Sequence, residues 1–178
     1  MKLLVGDKNR LALESVDNKD DSSFGHLYLY VNGIRFGRDD FDFEVDMMIE
    51  STLSNFKVYG VNLDGLASCP PKELFDSYSK VSSYDEDDDL SSLGEVEAVK
   101  YFPSFVENFV DVDDCAFRYV DYAFDGYFIM LIPTGDELKL YIKDYDRNVY
   151  ESVMTTAEEF LGLWKGLAMK RSRMRGQP

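Results

Sequence analysis

The chain has 178 residues, of which 45% are hydrophobic and 15% aromatic, and its formal net charge is −15. This length and composition predict one domain with a sizeable core and argue against a disordered chain. The excess of acids argues against nucleic acid or anionic lipid as partners, since those bind clustered Lys and Arg, and it favours capture of a basic partner.

The first residues lack the pattern of a secretory signal, and no apolar run is long enough to cross a membrane. We therefore expect a cytoplasmic protein. Cys69 and Cys115 belong to no CxxC or Cys/His cluster, which argues against a zinc site. A single disulfide remains open from the sequence, but a cytoplasmic location predicts two reduced thiols.

The N-terminal part reads as β-strands separated by polar or Gly-containing turns. The four segments are 3–5, 11–16, 24–31 and 34–36. Asn32-Gly33 separates the last two and predicts a tight hairpin with a type I′ turn, because both residues tolerate positive φ.

The periodicity then changes to that of a helix. Apolar residues recur at i, i+3, i+4, i+7, i+8 and i+11 from Val45 to Phe56, and Gly60 is a suitable stop. Pro71 suits the first position of a second, short helix over 72–79.

Residues 82–92 form the most biased segment, with five consecutive carboxylates after Tyr84. Such charges repel one another, so we expect a solvated loop. The acids are contiguous and lack the Gly and final Glu of an EF-hand, which argues against a calcium site. Residues 94–110 carry apolar side chains around Pro103, and their pattern leaves helix and strand both open.

The stretch 117–142 predicts a β-meander around which the rest of the chain is arranged. Asp125-Gly126 is a strong hairpin signal between a strand over 117–122 and a run over 127–132. That second run is apolar at every position, so we expect it to be a central strand covered on both faces. A third strand over 137–142 and a further one over 149–153 follow.

A final helix is predicted from a capping box, either Thr155 with Glu158 or Thr156 with Glu159. Its basic tail, 170–178, is expected to fray. The predicted fold class is α+β: a mostly antiparallel β-sheet of about six to seven strands with helices packed on one face, including the C-terminal helix. We expect a single domain spanning 1–178.

The sequence offers little for catalysis. His26 is the only histidine and suits packing on a strand better than metal binding, and no nucleophile, phosphate-binding or metalloprotease motif is present. We therefore predict no catalytic residue, no metal and no cofactor. A carboxylate-pair hydrolase remains an alternative, because acids are abundant.

Several N-terminal segments resemble the Immunity protein 42 family of bacterial polymorphic-toxin systems, although Leu11 stands where the family pattern suggests Phe. The meander and the last helix agree with that family in pattern only. The pattern over 156–164 is also similar to the SUKH superfamily, so a SUKH-like interaction module is a further alternative. The segments that carry the first resemblance are Leu4-Val5-Gly6-Asp7-Lys8, Leu11-Ala12-Leu13-Glu14, Gly25-His26-Leu27 and Tyr30-Val31-Asn32-Gly33, followed by Gly37.

The resemblance implies a cytoplasmic immunity protein, not an enzyme, that binds and neutralises a cognate bacterial toxin domain. Together with the charge, it predicts that the toxin is basic and is a nuclease. We expect one monomer to bind one toxin domain through an acidic surface that includes aromatic residues. We expect no nucleic acid and no membrane as partner. The predicted toxin-binding residues are Tyr84, Asp85, Glu86, Asp87, Asp88, Asp89, Asp111, Asp113, Asp114 and Tyr122.

Overall fold

The computed structural model describes residues 1–58, 63–83, 94–117, 124 and 126–176, and these residues contain eight strands in two antiparallel sheets. The α+β class, the antiparallel pairing and the C-terminal helix are confirmed, but the strands are divided between two sheets. The first sheet contains Lys2–Asp7 (β1), Leu11–Asp17 (β2), Phe24–Val31 (β3), Ile34–Phe36 (β4) and Phe43–Glu44 (β5). The second contains Tyr127–Thr134 (β6), Glu137–Asp144 (β7) and Val149–Thr155 (β8).

The described helices lie between the two groups of strands and after the last strand. The α-helices are Val45–Asn55 (α1), Pro71–Ser82 (α2), Phe109–Asp114 (α3) and Ala157–Met174 (α4), and short 3₁₀ helices span Asp64–Ser68 and Glu97–Lys100. Residues 94–110 therefore form helix and turns rather than the alternative strand. None of the helices in the described ranges is both long enough and apolar enough to cross a membrane.

In the first sheet the strands follow the order β1-β2-β3-β4, and β5 pairs with the start of β3. Val31 pairs with Ile34, and the two residues between them, Asn32 and Gly33, have φ values of 51° and 84°. Positive φ at both central residues is the requirement of a type I′ turn, so this prediction is confirmed.

In the second sheet the order is β6-β7-β8, so β7 is the central strand. On its other side β6 is paired with residues 115–117: Ala116 forms an antiparallel bridge with Met130, Phe117 N donates to Ile129 O (2.8 Å) and Leu131 N donates to Cys115 O (2.9 Å). The described residues thus place a pairing partner on each side of β6, and the full central position expected for 127–132 stays a prediction. Most of the strand predicted over 117–122, and Asp125 of the predicted turn, lie outside the described residues.

Both faces of β6 are nevertheless buried, as the sequence predicted. Ile129 and Leu131 belong to a core cluster with residues of the first sheet, α1 and α4. Met130 and Ile132 belong to a second cluster with residues of α2 and α3. Because successive side chains of a strand point to opposite faces, one apolar strand supplies both clusters.

The predicted helix boundaries are close to the observed ones. Helix α1 ends at Asn55, before Gly60, which lies outside the described residues. Helix α2 has Pro71 in its first turn, as predicted, and continues beyond residue 79 to Ser82. A proline is favoured there because its missing N–H would have no partner within the helix.

Helix α4 begins at one of the two predicted caps. Thr156 Oγ1 accepts a hydrogen bond from Glu159 N at 3.0 Å. The Glu159 carboxylate accepts from Arg10 Nη2 (2.9 Å) and Thr155 Oγ1 (2.9 Å). This helix start is therefore also tied to the turn between β1 and β2.

The other end of α4 differs from the predicted frayed tail, since the helix continues to Met174 and Arg171 is only 1% exposed. Arg171 forms an ion pair with buried Asp17, and its Nε donates to Asp46 Oδ1 at 2.6 Å. Arg171 Nη2 also donates to Ser22 O at 3.0 Å. A buried carboxylate needs a paired cation, which explains why this basic residue is ordered. Residues 177–178 lie outside the described part.

We predict that Arg171→Met lowers the free energy of unfolding by about 3–5 kcal/mol, because Asp17 would be left buried without its guanidinium partner. The matched control is Arg173→Met on the exposed side of the same helix, for which we expect a change below about 0.5 kcal/mol. Urea unfolding of the two variants checks this, and equal losses would contradict the account.

The same network predicts a pH dependence. Burial alone would raise the pKa of Asp46, but hydrogen bonds and charge from Arg171 and Arg175 outweigh it and hold this pKa below its ordinary value. The ionised carboxylate thus stabilises the fold above the ordinary Asp pKa of about 3.9, and this contribution is lost as pH falls through the depressed value. Asp46→Asn should therefore be less stable at neutral pH, with the difference shrinking in acid. Urea unfolding across that pH range measures it, and a constant difference would contradict the assignment.

Candidate functional site

Only three of the predicted toxin-binding residues have described positions, and all three lie in α3: Asp111, Asp113 and Asp114. Tyr84, the acids at 85–89 and Tyr122 lie outside the described residues. Helix α3 therefore carries all of the predicted residues whose positions are described.

One side of α3 faces solvent and carries uncompensated negative charge. Glu107, in the turn before the helix, and Val110, Asp111 and Asp114 follow the spacing i, i+3, i+4 and i+7, which places them along one side. Val110 is 74% exposed. Within the described chain, none of these three carboxylates has an ion-pair partner. We call these four residues the α3 acidic face.

Asp113 is directed elsewhere, because two residues along a helix correspond to a rotation of about 200°. Its carboxylate accepts a hydrogen bond from Tyr78 Oη of α2. The Tyr78 ring in turn packs on Phe109 and Phe128, with centroids 5.1 and 4.7 Å away. The structure thus brings Asp111 and Asp114 together on the surface and gives Asp113 a role in holding α3 against α2.

A second acidic region was missed by sequence reasoning. An open cleft of about 560 Å³ lies where the connection after β4 meets the turn between β7 and β8. Its walls carry three arginines and four aspartates, a net charge of −1: Arg35, Arg38, Arg147, Asp39, Asp40, Asp144 and Asp146.

Two arginines of the cleft are paired with carboxylates from their own loop. Arg35 Nη2 lies 2.5 Å from Asp39 Oδ2, and Arg38 makes two contacts with Asp40, at 2.8 and 2.7 Å. Both carboxylate oxygens of Asp40 therefore accept hydrogen bonds from Arg38.

The third arginine pairs across the β7–β8 turn. The backbone N of Arg147 donates to Asp144 Oδ1 at 2.9 Å, and its guanidinium forms an ion pair with the same buried carboxylate. Asp146, one residue before Arg147, is exposed and has no ion-pair partner in the part of the chain that the structure describes.

Two hydrogen bonds join the two sheets at this cleft. Arg147 Nη2 donates to Arg35 O at 2.8 Å, and Tyr127 Oη donates to Gly37 O at 3.0 Å. Gly37 has a φ of 131°, and a Cβ at this position would lie 2.4 Å from Leu27 O. A glycine is therefore required where the β4–β5 connection crosses the sheet.

The acids of the β4–β5 connection are stabilised in their ionised form. A hydrogen bond from Tyr28 Oη (2.6 Å), aided by the charge of Arg35, lowers the pKa of Asp39. Hydrogen bonding from Arg38 lowers the pKa of Asp40 to about 2. A hydrolytic carboxylate pair needs one raised and one ordinary pKa, and these two acids are shifted in the same direction.

The two connections that form the cleft each carry an exposed aromatic residue. Tyr145 of the β7–β8 turn is 50% exposed, and Phe41, next to Asp40, is 53% exposed. The Lys143 ammonium lies 4.4 Å from the Tyr145 ring centroid and steadies it by a cation–π contact. In the sequence, the segments 37–40 and 143–148 are recognisable only as turns. The signal that could have indicated a binding surface is the mixture of acidic, aromatic and arginine residues in the run Asp144-Tyr145-Asp146-Arg147.

The remaining chemistry-bearing side chains have structural surroundings. His26 Nε2 lies 3.2 Å from Asp42 Oδ1 on the first sheet. Cys69 and Cys115 are buried free thiols, and burial raises the pKa of each to about 12, so neither ionises readily at neutral pH. No group of three His, Cys, Asp or Glu residues that could hold a metal ion occurs in the described ranges.

Comparison with known proteins decides the class. The sequence matches the family model described as Immunity protein 42 over residues 1–168. The chain belongs to the Immunity protein 42 family. A solved structure with a similar fold is CdiI from Burkholderia dolosa AUO158, with a TM-score of 0.54 and 15% sequence identity over 94% of this chain and 99% of that chain. No curated protein matches the sequence.

Membership in this family confirms the resemblance seen in the N-terminal segments. Immunity proteins neutralise toxins by binding them, so the chain is a toxin inhibitor and not an enzyme. The alternative of a carboxylate-pair hydrolase is thereby set aside. The surfaces of interest are consequently those that can contact another protein.

We predict that Arg147→Ala lowers the free energy of unfolding by about 1.5–3 kcal/mol, since the buried Asp144 carboxylate and Arg35 O would both lose a charged donor. The matched control is Arg38→Ala, which removes an arginine from the same cleft but whose Asp40 partner is exposed, so we expect a smaller loss. Thermal or urea unfolding of both variants measures this, and a larger loss for Arg38→Ala would contradict the assignment.

Proposed function

We propose that this immunity protein neutralises a basic toxin domain, and that the α3 acidic face is part of the surface that binds it. The observation that carries the proposal is the absence of any described ion-pair partner for Glu107, Asp111 and Asp114. The three carboxylates lie close together along one side of a short segment, whereas Asp39 and Asp40 are matched by neighbouring arginines. Uncompensated carboxylates are the ones whose field can attract a cationic partner.

Long-range charge supports the same proposal. The net charge of −15 gives the whole molecule a negative field, and such a field raises association rates with a positive partner. An inhibitor has to reach its toxin before damage occurs, so a fast encounter suits this role. Val110 adds an exposed apolar contact among the acids, which an interface can bury on docking.

A nuclease is the toxin class that this charge fits best. A nuclease binds the phosphates of its substrate with Lys and Arg. A row of carboxylates on the inhibitor can bind the same Lys and Arg in place of the phosphates. The predicted interface also includes Tyr84, the acids at 85–89, Asp113 and Tyr122. Burying about 800 Å² per partner is ordinary for a specific complex, and one monomer of this size offers enough surface for a one-to-one complex.

We also propose that the protein acts in the cytoplasm, as an antidote to a toxin delivered by contact between bacterial cells. The nucleic acids that such a toxin would attack are located there. The inhibitor blocks the toxin stoichiometrically and has no turnover of its own.

Charge reversal of the α3 acidic face tests the proposal. We expect the double variant Asp111→Lys with Asp114→Lys to associate with the cognate toxin domain about tenfold or more slowly at low salt. The matched control, Asp20→Lys with Asp136→Lys, changes net charge equally at exposed positions on other loops and should have a clearly smaller effect. Stopped-flow or surface-based kinetics measure the rates.

Two results would overturn parts of this proposal. Equal slowing by the test and control pairs would mean that only overall charge matters and that α3 is not at the interface. A toxin domain that binds tightly but cleaves neither DNA nor RNA would remove the nuclease assignment and leave toxin binding intact.

A further inference from the structure

We propose that the cleft between the two sheets receives an arginine or lysine side chain from a projecting loop of the toxin. This inference rests on the proposed function, because it names a second contact with the same partner. The cleft is formed by different elements from the α3 acidic face: the β4–β5 connection and the β7–β8 turn.

The size and polarity of the cleft favour a charged side chain over a small apolar ligand. Its volume of about 560 Å³ falls within the range of ordinary binding pockets, about 300–1,000 Å³. Small-molecule pockets are lined mainly by apolar side chains, whereas Asp and Arg dominate these walls. The occupant must therefore be polar, and the open form of the cleft suits a loop of another protein.

The charges in the cleft favour a cation over an anion. Arg35 and Arg147 are engaged by Asp39 and Asp144, and Arg38 is engaged by Asp40, so an anion would have to displace a carboxylate from a guanidinium. Asp146 has no such cation among the described residues. A cationic side chain can bind Asp146 without breaking any ion pair of the described residues.

The walls are already held in place before a partner arrives. The hydrogen bonds from Arg147 to Arg35 O and from Tyr127 to Gly37 O fix the two sides of the cleft relative to each other. A preorganised site loses less conformational entropy on binding, which increases affinity.

The two connections that form the cleft also carry exposed aromatic side chains. Tyr145 and Phe41 are each about half exposed, and the Tyr145 ring is steadied by Lys143. Tyr and Arg are enriched at the energetically dominant positions of interfaces. The two connections thus carry exposed aromatic side chains and arginines together with Asp146, a carboxylate that has no cation among the described residues.

A small probe tests the cleft without the toxin. Acetyl-arginine methylamide is titrated into the isotope-labelled protein at constant ionic strength, and amide signals of Gly37, Gly126 and Arg147 are followed by NMR. We expect saturable shifts at these amides, an affinity about fivefold weaker for Asp146→Asn, and no change for the exposed turn control Asp136→Asn. Sulfate should produce no saturable shift there. Diffuse shifts that do not saturate, or saturation by sulfate, would overturn the inference.

A second experiment uses the cognate toxin domain. Asp146→Asn should raise the dissociation rate of its complex about fivefold with little change in association rate, because the contact forms only after docking. Unchanged dissociation would overturn the cleft contact, while binding of the unmodified chain would still support the proposed function. Failure of the unmodified chain to bind would instead remove the proposed function, and the probe titration would still report on the cleft.

Discussion

Strand β6 is apolar on both faces, and the rest of the molecule is arranged to cover them. Ile129 and Leu131 join the first sheet, α1 and α4 in one cluster, while Met130 and Ile132 join α2 and α3 in the other. If either face of β6 were left uncovered, a large apolar surface would be exposed to water. The second sheet therefore lies between two cores, and the exposed acids of the β4–β5 connection and of α3 lie outside them.

Three sets of charged side chains have different physical roles. Arg171 is buried and pairs with Asp17 and Asp46, so it holds the end of α4 in the fold. The acids of the β4–β5 connection are matched by exposed arginines at the cleft. The α3 acidic face has no described cation and projects its field into solvent. The last two sets lie at the surface, where a partner can contact them, which agrees with a protein whose function is to bind another protein.

Much of the fold could be predicted because local signals agreed with tertiary structure. Asn32-Gly33 requires a type I′ turn wherever it joins two strands, and the Thr156 cap and Pro71 are equally local. The division into two sheets could not be predicted, because it depends on which distant segments pair. The ordered end of α4 was missed for the same reason: Arg171 looks like a frayed basic residue until Asp17 and Asp46 are seen beside it. At the site, helical spacing separates Asp113 from Asp111 and Asp114 once α3 is known to be a helix, whereas the cleft assembles two turns more than a hundred residues apart.

The central claim is that uncompensated acids on an inert framework bind a basic toxin. Its most direct test is titration calorimetry of the purified chain with its cognate toxin domain. The titration is repeated over a series of salt concentrations. We predict a one-to-one complex whose affinity falls steadily as salt increases, because the attraction between exposed charges is screened. A tight complex with an affinity that is independent of salt, or no complex at all, would contradict the claim.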